Sequence, residues 1–114
     1  MINQPTINKA ISIIKTGKVL DNSNAHEMIA EIEGLQNSGF KYIILDVVEL
    51  EFLSSAGVGA ILGTIELFRE IGGDIIICNA STKINHVLEI LDLLDYLTIS
   101  DSLEQAQELC LNKV

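Results

Sequence analysis

Two periodicities alternate along the chain. Residues 42–48, YIILDVV, and 74–79, DIIICN, are continuous apolar runs, the pattern of strands covered on both faces. Residues 10–15, AISIIK, are rich in β-branched positions. They predict a strand paired with an extended stretch over residues 2–7 through a tight connection at Asn8-Lys9. Residues 17–24, GKVLDNSN, read as a polar loop. Then the repeat becomes helical: Ala25, Met28, Ile29, Ile32 and Leu35 share one face of a helix that Asn24 and Glu27 open as a capping box and Gly39 ends. A second helix covers about 55–71 and stops at Gly72-Gly73. A third, capped by Ser81 or Thr82, carries Ile84, Val87, Leu88 and Leu91. A short strand near Leu97 to Ile99 follows, and Ser102 with Gln105 opens a last helix bearing Leu103, Ala106 and Leu109. The alternation predicts one α/β domain over residues 1–114, with helices packed on a mostly parallel sheet that starts with an antiparallel pair.

The second helix departs from a plain amphipathic pattern. Val58, Ile61, Leu62, Ile65 and Phe68 gather on its core side, while Gly59, Gly63, Glu66 and Glu70 fall on roughly the opposite side. Each glycine inside a helix costs about 0.8–1 kcal/mol relative to alanine. Two readings account for that: close packing within the domain, or an outer surface that lets another backbone approach. The double serine at the helix start also carries two readings. Ser54 or Ser55 caps the helix, or one of them accepts a phosphate, which the positive end of the helix dipole accommodates. The added charge of about −1.5 to −2 then acts on whatever docks against the glycine-acidic stripe.

Composition narrows the partners. A formal charge of −9, with one arginine and six lysines, lacks the cationic footprint that nucleic acid requires and disfavours anionic lipid; another protein is the expected partner. No apolar run approaches the length of a membrane span, so no membrane insertion is expected. Cys78 and Cys110 share no metal-ligand spacing with each other or with His26 and His86, and Met1-Ile2-Asn3-Gln4-Pro5 lacks the basic and apolar regions of a signal peptide. Reduced thiols, a cytoplasmic location, and neither metal nor cofactor are expected.

Enzyme motifs fail on spacing. Gly57, Gly59 and Gly63 do not make GxGxxG, because Leu62 stands at the third glycine. LSSAG is no nucleophile elbow, because Leu53 replaces its first glycine, and no P-loop lysine follows. His26 and His86 sit among polar neighbours on predicted helices and read as solvated surface. Asp46 ends the strand YIILD, where receiver domains hold a phosphorylated aspartate. The acidic pair of a receiver is missing, however: Asp21 stands alone and Lys83 is only loosely placed. The competing reading of Asp46 is a turn-fixing carboxylate.

Taken together, ILDVVELEFLSSAGVGAIL resembles the central signature of the STAS domain (sulfate transporter and anti-sigma factor antagonist). GKVLDNSNAHEM, GGDIIICNAS and ILDLLDYLTISDSLEQA are similar to its flanking segments, so the resemblance covers about residues 10–110. It implies a STAS-type fold: a four- to five-stranded mixed sheet with an antiparallel N-terminal strand pair, and about four helices mostly on one side. For a stand-alone member it implies a non-enzymatic bacterial anti-sigma factor antagonist acting in transcription regulation by partner switching. Such a protein binds an anti-sigma serine kinase while unphosphorylated, is released when that kinase phosphorylates it with its own ATP and magnesium, and is reset by a serine phosphatase. By position the implied acceptor is Ser55, with Ser54 its rival, because Ser54 stands where the family usually has aspartate. The implied docking surface comprises Asp21, Asn22, Ser54, Ser55, Gly59, Gly63, Glu66 and Glu70. Alternatives are a permanently bound STAS subunit of a stressosome or of a lipid-transport ATPase complex, and the Asp46 receiver.

Overall fold

The computed structural model describes residues 11–113. The elements run β1 (Ile11–Lys15), β2 (Val19–Leu20), α1 (Ala25–Asn37), β3 (Tyr42–Asp46), β4 (Phe52–Leu53), α2 (Ser55–Glu70), β5 (Asp74–Cys78), α3 (Thr82–Ile90), β6 (Thr98–Ser100) and α4 (Leu103–Lys113). One sheet has the order β1-β3-β5-β6, and β2 pairs with β4 in a second, two-stranded sheet.

Strand direction is where the sequence reading fails. Every pairing among the described residues is parallel: Ile11 aligns with Tyr42, Tyr42 with Asp74, Ile76 with Thr98, and Val19 with Phe52. The expected antiparallel start is replaced by β1 lying parallel to β3, because α1 carries the chain back across the sheet before β3 begins. The expected partner over residues 2–7, and its connection at Asn8-Lys9, lie outside the described residues. β2 and β4 were hidden in the sequence. Two residues each are too short for a period, and Val19-Leu20 sits inside a polar stretch.

The sheet order explains the layers. Successive crossovers β1-α1-β3, β3-α2-β5 and β5-α3-β6 step one way across the sheet and so place their helices on one face. Alternate residues of each strand serve the two faces. Ile43, Leu45, Ile75 and Ile77 join Ile32, Ile65, Phe68, Ile84 and Leu88 in the larger core, while Tyr42, Ile44, Ile76 and Cys78 pack with Ala106 and Cys110 of α4. This two-sided burial is why these strands read as unbroken apolar runs.

The caps expected at α3 and α4 form. Ser81 Oγ accepts from Ile84 N at 3.1 Å, and Ser102 Oγ accepts from Gln105 N at 3.1 Å while Asp101 N donates to Gln105 Oε1 at 2.8 Å. The capping box at α1 does not. Asn24 turns its side chain away from the helix, accepting from Asp21 N at 3.0 Å and donating to Val19 O at 2.8 Å, so it braces the preceding loop instead.

Candidate functional site

The first turn of α2 is fixed by the β2–β4 pair. Ser54 N donates to Leu20 O at 3.0 Å, and Ser54 Oγ accepts from Gly57 N at 3.2 Å, so Ser54 is the helix N-cap. Ser55 follows as the first helical residue and is exposed, and its hydroxyl has no hydrogen-bond partner among the described residues. The two serines therefore divide the two readings between them: one hydroxyl is engaged in the fold and the other is presented to solvent.

The small residues divide in the same way. Gly57 is buried, and a Cβ there would stand 2.5 Å from Leu20 O, so the missing side chain lets helix and strand backbones meet. Gly59 and Gly63 face outward, and a Cβ on either would meet nothing within 4 Å. Internal packing explains Gly57 and leaves Gly59 and Gly63 unexplained. The buried face comprises Gly57, Ala60, Ile61, Thr64, Ile65 and Phe68, with Val58 and Leu62 only half-buried at its edges. Thr64 is tolerated inside because its hydroxyl donates back to Ala60 O at 2.8 Å and Ile61 O at 2.9 Å.

Asp21 and Asn22 reach the same end of the molecule through Leu20, which pairs with Leu53. Asp21 Oδ1 accepts from Ser23 Oγ at 2.5 Å and from Ser23 N at 2.8 Å; these bonds, the hydroxyl's first, hold its carboxyl below the ordinary value. Asn22 is exposed on this loop. Glu66 and Glu70 are exposed too, but they lie further along α2, about 16 and 22 Å from Ser55 at a helical rise of about 1.5 Å per residue. Charges so far apart in solvent are largely screened at physiological salt, where the Debye length is about 8 Å. The first turn of α2 itself carries no acidic residue. The acidic half of the stripe is therefore electrostatically separate from the serines.

The feature that sequence reading missed is a groove of about 400 Å³ between α2 and α3, lined by Leu53, Ser54, Ser55, Val58, Val87, Ile90 and Leu91. Apart from the two serines every lining side chain is apolar, and Ile90 is 68% and Leu91 48% exposed. The sequence reading places Val87 and Leu91 on the third helix beside Ile84 and Leu88, which are buried. Val87 is only half-buried and Leu91 faces solvent, because α3 ends at Ile90 and Leu91 forms its C-cap. Ile90, the most exposed of the large apolar residues among those described, was the available signal.

Asp46 is 8% exposed, and its Oδ1 accepts from Val48 N at 3.1 Å and Asn79 Nδ2 at 3.1 Å. That geometry is a turn-fixing carboxylate and favours the non-receiver reading. Burial, with a smaller contribution from the Asp46 charge, pushes the neighbouring Cys78 thiol up to about 12. No helix of the described residues is long and apolar enough to cross a membrane.

Comparison with known proteins adds a family and a set of relatives. The profile of the STAS domain matches residues 4–106. BtrV of Bordetella bronchiseptica is 27% identical over 88 residues, covering 77% of this chain and 76% of that protein. The anti-sigma F factor antagonist of Paenibacillus polymyxa is 24% identical over 95 residues, covering 82% and 81%. Among solved structures, the anti-sigma factor antagonist SpoIIAA in its unphosphorylated form superposes with a TM-score of 0.80 at 22% identity, covering 96% of both chains. Its phosphorylated form, from Bacillus, superposes at 0.70 with 22% identity, covering 91% of this chain and 94% of that one.

Proposed function

This chain belongs to the STAS domain family, and we propose that it is an anti-sigma factor antagonist whose docking on an anti-sigma serine kinase is switched by phosphorylation of Ser55. The observation that carries the reading is the division of labour between the serines. Ser54 caps α2 through Gly57 N, while Ser55 stands exposed at the mouth of the apolar groove. The names of the relatives support the antagonist part, and the existence of SpoIIAA in two phosphorylation forms supports the switch.

The groove supplies the mechanism. An apolar side chain of the anti-sigma factor buries against Leu53, Val58, Val87, Ile90 and Leu91, the kind of buried anchor that dominates interface energetics. A phosphate on Ser55 places about −1.5 to −2 charges at the rim of that contact. Closing the groove would then desolvate a dianion, and a penalty of only about 1.4 kcal/mol weakens binding tenfold. Repulsion by Glu66 and Glu70 has a minor part, given their distance. The neutral cap at Ser54, where the family usually carries aspartate, retains the capping bond and leaves the acceptor without an adjacent carboxylate. The Asp21–Asn22 loop is the rim on the β2 side, and Gly59 and Gly63 let a partner backbone lie close to α2. A dedicated serine phosphatase reverses the modification, and the cycle runs in the cytoplasm.

Incubation with ATP, magnesium and candidate serine kinases from the same genome, followed by mass mapping, tests the assignment. An acid-stable phosphate on Ser55, absent from Ser55→Ala and retained in Ser54→Ala, is the expected outcome. Phosphate on Ser54 alone, or none with tight constitutive binding, sinks it.

A further inference from the structure

The two walls of the groove leave the sheet side by side. Asp46 and Cys78 are register partners at the ends of β3 and β5, and Val47 N donates to Cys78 O at 3.0 Å before the chains part. One chain runs through residues 48–51 to Leu53, Ser54 and Ser55; the other runs through Asn79 and Ala80 to the Ser81 cap and α3. A side-chain bond spans the point where they part. Asp46 Oδ1 accepts from Val48 N on the first chain and from Asn79 Nδ2 on the second, each at 3.1 Å.

Asn79 makes its bond from a strained backbone. Its φ is 63°, and it and Asp92, at 59°, are the two non-glycine residues with positive φ among those described. Together they bracket α3. Asp92 follows the C-cap, and its conformation belongs to a stop in which Leu93 N donates to Leu88 O at 3.0 Å. Asn79 closes no helix. Glycine adopts its conformation without strain, so what the asparagine adds is the amide that reaches Asp46. α3 depends on such a tether. It buries Ile84 and Leu88, one turn apart, where α2 buries six residues. Two contacts a turn apart define a line about which a helix can swing, and its end connections decide where it stops.

We propose that Asp46 and Asn79 are positioning residues for the groove beside Ser55. Their bond fixes the angle of α3 against α2, and so where Val87, Ile90 and Leu91 stand opposite Leu53 and Val58. The effect on a partner rests on the docking reading above, because a groove of the wrong width no longer fits an apolar anchor.

Backbone residual dipolar couplings of the free protein report the angle between α3 and α2, and isothermal titration with the cognate anti-sigma factor reports docking. Asn79→Gly keeps the backbone conformation and removes the amide. It is expected to reorient α3 and weaken docking by about fivefold or more, with the urea midpoint close to wild type. Asp46→Asn retains an oxygen that accepts both bonds and is expected to keep the wild-type couplings, with affinity within about twofold. An α3 angle unchanged in Asn79→Gly overturns the proposal and leaves the docking reading intact. A reoriented α3 with unchanged affinity overturns it too, as does an affinity loss that comes only with a large fall in the urea midpoint. Wild-type protein that binds no anti-sigma factor overturns the docking reading and the proposal together.

Discussion

Ser54 and Ser55 are neighbours in opposite settings, one hydroxyl bonded to Gly57 N and the other exposed, and substitution separates them. Ser54→Ala removes the bond to Gly57 N and is expected to lower unfolding free energy by about 1 kcal/mol in urea titration, while leaving Ser55 modifiable. The glycines separate just as cleanly. Gly57→Ala forces a Cβ against the Leu20 carbonyl and is expected to destabilise by roughly 1–3 kcal/mol or more. Gly59→Ala and Gly63→Ala enter open space inside a helix and are each expected to stabilise by up to about 1 kcal/mol while weakening partner binding. Thermal melts beside binding titrations check both halves; stabilised variants that bind unchanged would remove the stripe from the interface. Cys78 offers a pH reading. Its thiol is held up to about 12 against an ordinary 9.0, so the fold keeps a proton that the unfolded chain loses. Its contribution is intact below 9.0 and declines as pH rises toward 12. Native protein at pH 8 is expected to resist thiol labelling at Cys78, and urea-unfolded protein to label fully; fast native labelling would contradict the burial. At this scale the serine pair and the outward glycines were legible in the sequence, because each breaks a helical pattern. The inward turn of Gly57 was not, since the strand it meets spans two residues and leaves no periodic trace.

Among the elements, α2 is tied at both ends. Its start hangs on Leu20, and near its end Arg69 Nε donates to Asp74 Oδ1 at 2.9 Å and Arg69 Nη2 donates to Tyr96 O at 2.7 Å, with the guanidinium 4.6 Å from the Tyr96 ring centroid. Asp74 also accepts from Thr98 Oγ1 at 2.6 Å, so the sole arginine joins α2 to β5 and β6. Arg69→Met is expected to lower stability by roughly 1.5–3 kcal/mol without changing affinity for a partner, measured by urea unfolding and by titration. A loss of affinity with stability intact would place Arg69 in the interface. Element type and order were readable because helices and two-faced strands carry distinct periods. Direction was not. β-branched content marks a strand without saying which way it runs, and only the return of the chain through α1 makes β1 parallel to β3. The groove was hidden for a related reason: Val58 reads as core on α2 and Val87 as one of the apolar positions of α3, and only the relative placement of the two helices leaves a gap between them.

Across the whole molecule, one end gathers the chemistry. The exposed Ser55, the apolar groove beside it and the Asp21–Asn22 loop meet through the β2–β4 pair, while the sheet and α4 sit beneath as a rigid support. A surface so arranged takes a change of charge without repacking, since Ser55 neither fills the core nor caps the helix. Ser55→Asp is the direct probe, because an acidic side chain in the first helical turn is favoured by the dipole. Isothermal titration of wild type and Ser55→Asp against the cognate anti-sigma factor, with a thermal melt of each, tests the central claim. The account predicts at least about tenfold weaker binding with melting temperatures within roughly 2 °C of each other. Equal affinity, or a collapse of the melting temperature, would contradict it.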